Sequence, residues 1–223
     1  MGAAGVTYEV ELWWTTLDLS ARSVEASALT LSSDEAVRAT QYRASSDQAR
    51  FVVARATLRR LLGRMIGQPP EQVRLEVAPG GKPVVPGSPL RFSTSRSAEV
   101  ALFATSWTME VGVDVEAVRA DADMDAIAAR FFAPEENRAL AVLDPALRVR
   151  AAYQCWSCKE AYGKGTGEGL TGALGDLVVW NPEGDPTTLG DWRIHPVDLG
   201  GGYAAAVAGR SPARWRPSPP QRL

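Results

Sequence analysis

The sequence predicts an α+β fold made of two similar halves packed on one another as a pseudo-dimer. Two long helical patterns, at residues 47–66 and 144–163, carry that reading, because each follows a strand and precedes a set of short strand patterns. The second half repeats the order of the first, and each half is about 105–110 residues long, the size of a small domain. With 45% hydrophobic and 22% charged residues, the 223-residue chain has a globular composition, which excludes disordered, collagenous and coiled-coil classes.

The first half opens where Tyr8, Val10, Leu12 and Trp14 alternate with Glu9, Glu11 and Trp13, the period of a half-buried strand. A polar helix is expected around 34–43. A stronger one follows over 47–66, where Phe51, Ala54, Leu58, Leu61 and Met65 form one apolar stripe that Gly67, Pro69 and Pro70 terminate. Strands are expected near 73–77, 90–94 and 99–104, parted by turn clusters at 79–81 and 86–89. The second half reads as a strand at 111–115, helices near 124–132 and 134–142, and the long helix, with Asp144 as N-cap and Pro145 at its first position. Strands at 177–180, 192–196 and 203–207 complete it. The expected boundaries are 1–108 for the first half and 109–209 for the second. Residues 210–223 are rich in Pro and Arg without a period and are expected to form a disordered tail. A cleft between the halves is the expected ligand site.

A formal charge of -2 gives no broad attraction for nucleic acid or an anionic membrane, so any anion must be bound locally. No apolar stretch approaches the roughly 20 residues that span a bilayer. The opening residues carry neither a signal-peptide pattern nor, with Val6 where Ser or Thr is needed, a myristoylation signal. A cytoplasmic location is expected. Cys155 and Cys158 form a Cys-x-x-Cys pair, but a zinc site lacks further ligands and a redox pair should open a helix rather than lie deep inside one. Helix packing is the expected role.

Four segments carry chemistry. In Gly112-Val113-Asp114-Val115-Glu116, alternate residues of a strand face one way, so two carboxylates project together; hard oxygen donors in this arrangement suit Mg²⁺, and a solvated strand face has the same pattern. In Trp156 to Lys164, Trp156, Glu160 and Lys164 share one helix face, an arrangement also found in surface ion pairs. Lys82, Lys159 and Lys164 are the only lysines among 24 basic residues, which points to a need for a compact ammonium where they stand. Pro79-Gly80-Gly81-Lys82-Pro83 lacks the Walker pattern and leaves a rigid turn displaying one lysine. Arg91-Phe92-Ser93-Thr94-Ser95-Arg96-Ser97 sets hydroxyls around an arginine, a cradle for phosphate or an exposed turn, and Arg50 opens the first long helix.

Taken together these segments resemble the 4'-phosphopantetheinyl transferase superfamily, in its monomeric, pseudo-dimeric form similar to the surfactin-synthetase activator. Gly112 to Glu116 resembles the G-[VI]-D-[VI]-E strand, Phe131-Phe132-Ala133-Pro134-Glu135-Glu136 the F-F-x-x-x-E segment, and Trp156-Ser157-Cys158-Lys159-Glu160 through Lys164 the W-S-x-K-E-x-x-x-K helix. Gly165 to Leu170 resembles the G-x-G-L turn, Gly81-Lys82-Pro83 the G-K-P turn, and Asp47 with Arg50 the helix start. The resemblance covers residues 30–208 or so.

The resemblance implies that the phosphopantetheine of coenzyme A is moved to a serine of an apo acyl or peptidyl carrier protein, leaving adenosine 3',5'-bisphosphate, in natural-product biosynthesis. It implies that Asp114, Glu116 and Glu160 hold Mg²⁺, with Mn²⁺ the other candidate, and that Glu160 is also the base. Lys164 and Lys159 would act at the phosphates, while Arg50, Lys82, Ser95 and Arg96, with Arg38 in a lesser place, would surround the 3'-phosphate and adenine. A monomer that binds neither nucleic acid nor membrane is expected. The contrasting reading is a coenzyme A-binding scaffold without catalysis. The chain departs from the family's F-N-[IL]-S-H-S pattern at Arg96, where histidine is usual; a guanidinium can still grip an anion there.

Overall fold

The computed structural model describes residues 9–120, 124–169, 172–200, 202–211 and 215–223. The opening residues inspected for a targeting signal, and Leu170 of the glycine turn, lie outside the described residues. In the first half come β1 (Glu11–Thr16), α1 (Ala21–Ala28), α2 (Ser33–Thr40), α3 (Ser45–Ile66), β2 (Glu76–Val77), β3 (Pro83–Val84), β4 (Arg91–Ser97) and β5 (Val100–Ser106). The second half holds β6 (Val111–Ala117), α4 (Met124–Phe131), α5 (Pro134–Ala141), α6 (Pro145–Thr166), β7 (Thr187–Leu189), β8 (Trp192–Val197) and β9 (Tyr203–Arg210), and a last strand, β10 (Gln221–Arg222), returns to the first half.

The long helices form where their caps and stripes put them. Asp144 accepts a hydrogen bond from the Ala146 amide at 2.8 Å and Pro145 takes the first turn of α6, while left-handed glycines, Gly67 and Gly167, close α3 and α6. The sequence reading misses α1, whose composition is polar; Ser20 caps it and Val24 anchors it to the core beside α3.

One sheet has the order β10-β1-β5-β4 and the other β6-β9-β8-β7. The sheets pack through Leu12, Leu102 and Ala104 of one and Val111, Val113, Val115 and Val207 of the other, all fully buried. Each outer face carries a long helix: α3 on Phe92, Ala101 and Phe103, and α6 on Ile194, Ala204 and Ala206. The layers are therefore helix, sheet, sheet, helix, an α+β arrangement. Among the described residues no helix is long and apolar enough to cross a membrane.

Two expectations need correction. Residues 177–180 form no strand, because the Val179 amide donates to the buried Glu136 carboxylate at 2.8 Å instead of to a neighbouring strand; β7, further on, takes the sheet edge. Nor are residues 215–223 a loose tail. The Ser218 hydroxyl accepts from the Leu12 amide at 3.0 Å, β10 runs parallel to β1, and Trp215 lies buried against His195 with ring centroids 4.6 Å apart. Local composition had no means of reporting this, since the contact that orders the tail is with β1 at the far end of the chain.

Burial, with Arg193 and Arg216 nearby, pushes the His195 imidazole down to about 4, and its Nε2 has no hydrogen-bond partner among the described residues. A folded-state value below the unfolded one, about 6.5, means that the neutral ring's contribution to stability is complete above that value and is lost as pH falls through the folded one. The urea midpoint is therefore expected to fall between pH 7 and pH 4.5 more steeply in the parent than in His195→Leu. Identical slopes would remove His195 from the acid response.

Candidate active site

Strand β6 fixes the carboxylates. Val111, Val113 and Val115 point into the intersheet core, which turns Gly112, Asp114 and Glu116 toward α6. A Cβ on Gly112 would stand 2.0 Å from the Ala161 carbonyl oxygen and 2.3 Å from the Gly165 amide, so only glycine lets the helix lie directly on the strand. That close approach carries Lys164 onto Asp114, with Nζ to Oδ1 at 2.6 Å.

The far wall is β4, whose serines alternate toward β6. Ser93 accepts from the Val113 amide at 3.1 Å and Ser97 from the Ala117 amide at 3.0 Å. Ser95 donates to Asp114 Oδ1 at 2.7 Å and accepts from Lys164 at 3.0 Å, while Ser97 donates to Glu116 at 2.8 Å. The hydroxyls that the sequence suggests as a phosphate cradle also join the two halves and orient both carboxylates.

The electrostatics are those of a crowded acidic site. Burial raises the Glu160 carboxyl to about 7; Lys164 opposes that rise, and Asp114 and Glu116 add to it. Glu116 is also raised, by burial and then by Asp114. Asp114 is 1% exposed, and its Oδ2 has no hydrogen-bond partner among the described residues. An acceptor oxygen left over beside two carboxyls that resist ionisation is a donor set suited to a hard divalent cation. No three ligands are drawn into a closed cluster among the described residues, and the Lys164 ammonium meets Asp114 on its other oxygen.

Beside the carboxylates lies a pocket of about 330 Å³ lined by Arg38, Arg55, Arg96 and Lys164, with Tyr42, Phe51 and Ser95, and without a carboxylate. Arg96 donates to the Tyr42 hydroxyl at 3.0 Å and stacks on its ring at 5.5 Å, and Arg38 lies 5.7 Å over Phe51. Glu35, behind the wall, holds Arg55 at 2.7 Å. A second recess, about 240 Å³, runs between the Gly80–Pro83 turn, Phe92 to Thr94 and the end of α6, and shares Lys164 with the first.

The structure thus brings Asp114, Glu116, Glu160, Lys164, Ser95, Arg96 and Arg38 together, and separates three other expected residues from them. Lys159, expected at the phosphates, is wholly buried, paired to Glu136 at 2.7 Å and donating to the Leu174 carbonyl at 2.8 Å and to that of Leu177. Adjacent helix residues point about 100° apart, so Lys159 cannot share the face of Glu160 and Lys164. Arg50 forms a two-pronged pair with Asp18, at 2.8 and 3.2 Å, outside the arginine pocket. The Lys82 ammonium is spent on Glu110 at 2.6 Å, Val111 O at 2.9 Å and Gly165 O at 3.1 Å; it ties its turn to the second half, and its backbone turn lines the second recess. The sequence reading missed Arg55 and Tyr42. Arg55 had a legible signal, a cation four residues after Phe51 at the margin of the apolar stripe.

Cys155 and Cys158 are free and buried, and burial raises both thiols, Cys158 to about 12. Thiols in that state pack and do not attack.

Comparison with known proteins identifies the family. Residues 110–208, which hold the carboxylates and Lys164, match the family model of the 4'-phosphopantetheinyl transferase superfamily. The chain is 37% identical over 166 residues to 4'-phosphopantetheinyl transferase HetI of Nostoc sp., covering 73% of this chain and 70% of that protein. It is 33% identical over 186 residues to 4'-phosphopantetheinyl transferase psf-1 of Bacillus pumilus, covering 77% and 78% respectively. With the 4'-phosphopantetheinyl transferase of Bacillus subtilis it shares 27% identity over 162 residues, 72% of this chain and 71% of the other. Asp114, Glu116, Glu160 and Lys164 lie within the matched residues 110–208, and the chain belongs to the 4'-phosphopantetheinyl transferase superfamily.

Proposed function

We propose that this chain transfers the 4'-phosphopantetheine of coenzyme A to a serine of an apo acyl or peptidyl carrier protein of natural-product biosynthesis, in a divalent-metal-dependent reaction. The observation that supports this most is the junction at Lys164: three carboxyl groups lie on one side of it and a pocket of arginines without a carboxylate on the other. A nucleotide with separate phosphate groups needs both environments.

In this reading Asp114, Glu116 and Glu160 would hold Mg²⁺, or Mn²⁺, which when bound supplies positive charge at the pyrophosphate. Arg38, Arg55 and Arg96 bind the 3'-phosphate, and the recess beside Gly80–Pro83 takes the adenine. Glu160, with a carboxyl near neutral, accepts the proton of the attacking serine hydroxyl. The serine oxygen forms the new bond to phosphorus as the phosphoanhydride bond breaks, and Lys164 neutralises the departing bisphosphate. Both walls come from one chain, which supports a site complete in a monomer.

The reading is tested by incubating the protein with coenzyme A, Mg²⁺ and a panel of apo carriers, and weighing them intact. One carrier is expected to gain a single phosphopantetheine, and only with divalent metal. Tight coenzyme A binding with no carrier modified over a broad panel would favour the scaffold.

Recognition of the 3'-phosphate gives a sharper check. A charge-assisted hydrogen bond is worth roughly 1.5–3 kcal/mol, so Arg96→Ala should raise KM for coenzyme A about tenfold or more, and for dephospho-coenzyme A far less. Arg50→Ala should leave both within about twofold, since Arg50 is turned to Asp18. Equal weakening of both substrates by Arg96→Ala would place the phosphate elsewhere.

A further inference from the structure

On the other flank of α3 from the arginine pocket, a groove of about 680 Å³ lies between α3, β1 and β10. Internal symmetry says what this place is. The helices α3 and α6 are both 22 residues long, and each α3 position corresponds to the α6 position one hundred residues later. Both close at a left-handed glycine, and on each a buried cation, Arg59 or Lys159, pairs with a glutamate that also caps the preceding helix, Glu35 or Glu136.

On this correspondence Arg60 and Arg64 stand where the second half has Glu160 and Lys164. Arg64 lies 5.3 Å over the Trp13 ring, as Lys164 lies on Asp114, so Trp13 and Thr15 occupy the strand places of Asp114 and Glu116. The groove is the first half's counterpart of the active site, with its acidic positions replaced by an indole, a hydroxyl and a guanidinium. Its remaining wall is β10 with Leu223; Arg222, in register with Trp14 and 5.4 Å over that ring, turns its guanidinium to the opposite face of the sheet.

Arg60 and Arg64 have no ion pair among the described residues, whereas Arg50, Arg55, Arg59 and Arg91 each hold a carboxylate, and no Asp or Glu lines the groove. Like charges at Arg60 and Arg64, four apart on one helix, repel, an effect that a bound anion removes. The Trp13 face holds Arg64 in place before any ligand arrives.

We propose that this groove binds a small phosphate-bearing anion of the pyrophosphate type without a divalent cation. Guanidinium forks match phosphate oxygens two at a time, and the volume falls in the range of small-molecule sites, about 300–1,000 Å³. The assignment is independent of the transfer reaction.

The test is calorimetric titration with inorganic pyrophosphate in EDTA, using an Arg38→Ala/Arg96→Ala background to weaken the active-site pocket. One saturable site is expected there, with affinity reduced at least tenfold when Arg60→Ser and Arg64→Ser are added. Pyrophosphate should raise the melting temperature of the background variant and not of the quadruple variant. Repeating the titration with adenosine 3',5'-bisphosphate distinguishes the source: tighter binding assigns the groove to a nucleotide, weaker binding to free polyphosphate. Absence of saturable binding in the background, or equal binding by the quadruple variant, overturns the proposal. So does a raised KM for the carrier protein in Arg60→Ser/Arg64→Ser without pyrophosphate binding, which would make the groove a protein contact.

Discussion

Glu160→Gln is expected to lower kcat for phosphopantetheine transfer by about a hundredfold or more, with a smaller change in coenzyme A binding. The amide keeps the shape and removes the proton acceptor, and loss of a positioned general base costs about 10²–10⁴-fold. Stability separates this from misfolding. Without divalent metal, burial and then Asp114 and Glu116 hold the Glu160 carboxyl at about 7, above its ordinary value. A group raised on folding contributes stability that is complete below the unfolded value and lost as pH rises through the folded one. At pH 8 in EDTA the parent bears this loss and Glu160→Gln does not, so the inactive variant should melt no lower than the parent. Turnover near the parental rate would take Glu160 out of the chemistry.

Lys159→Ala should cost about 3–5 kcal/mol of folding stability, because it leaves the Glu136 carboxylate buried without its cation. For a chain of this size that lowers the melting temperature by roughly 6–20 °C, at about 2–4 °C per kcal/mol. Urea denaturation measures it directly. Glu136 also accepts from the Ala133 amide at 2.9 Å on one oxygen and from the Val179 amide at 2.8 Å on the other, so Lys159→Met with Glu136→Gln should regain part of the loss, by removing the charge and keeping an acceptor for one of the two amides. If Lys159→Ala instead kept full stability and raised KM for coenzyme A, the lysine would belong at the phosphates after all.

Much of the site could be read from the chain alone, because its spacing is local. Asp114 and Glu116 share a strand face through the two-residue period, and Glu160 and Lys164 share a helix face through the four-residue one. The capped ends of α6, the turn at Gly67 and the repeated order of elements are likewise written in neighbouring residues. Cations were another matter. Lys159 and Lys164 sit on one helix, Arg50 and Arg55 on another, and nothing local says which acid from elsewhere each of them meets.

Tertiary structure decided those partners. Glu136 claimed Lys159, Asp18 claimed Arg50 and Glu110 claimed Lys82, which left Lys164, Arg38, Arg55 and Arg96 around the pocket. It also ordered the tail, since Trp215 and Ser218 find their contacts on His195 and on the Leu12 amide. A sequence period is set by bond geometry within a few residues and fixes which side chains share a face. What that face meets depends on burial and charge contributed by residues far away in the chain, and these come together only when the two halves pack.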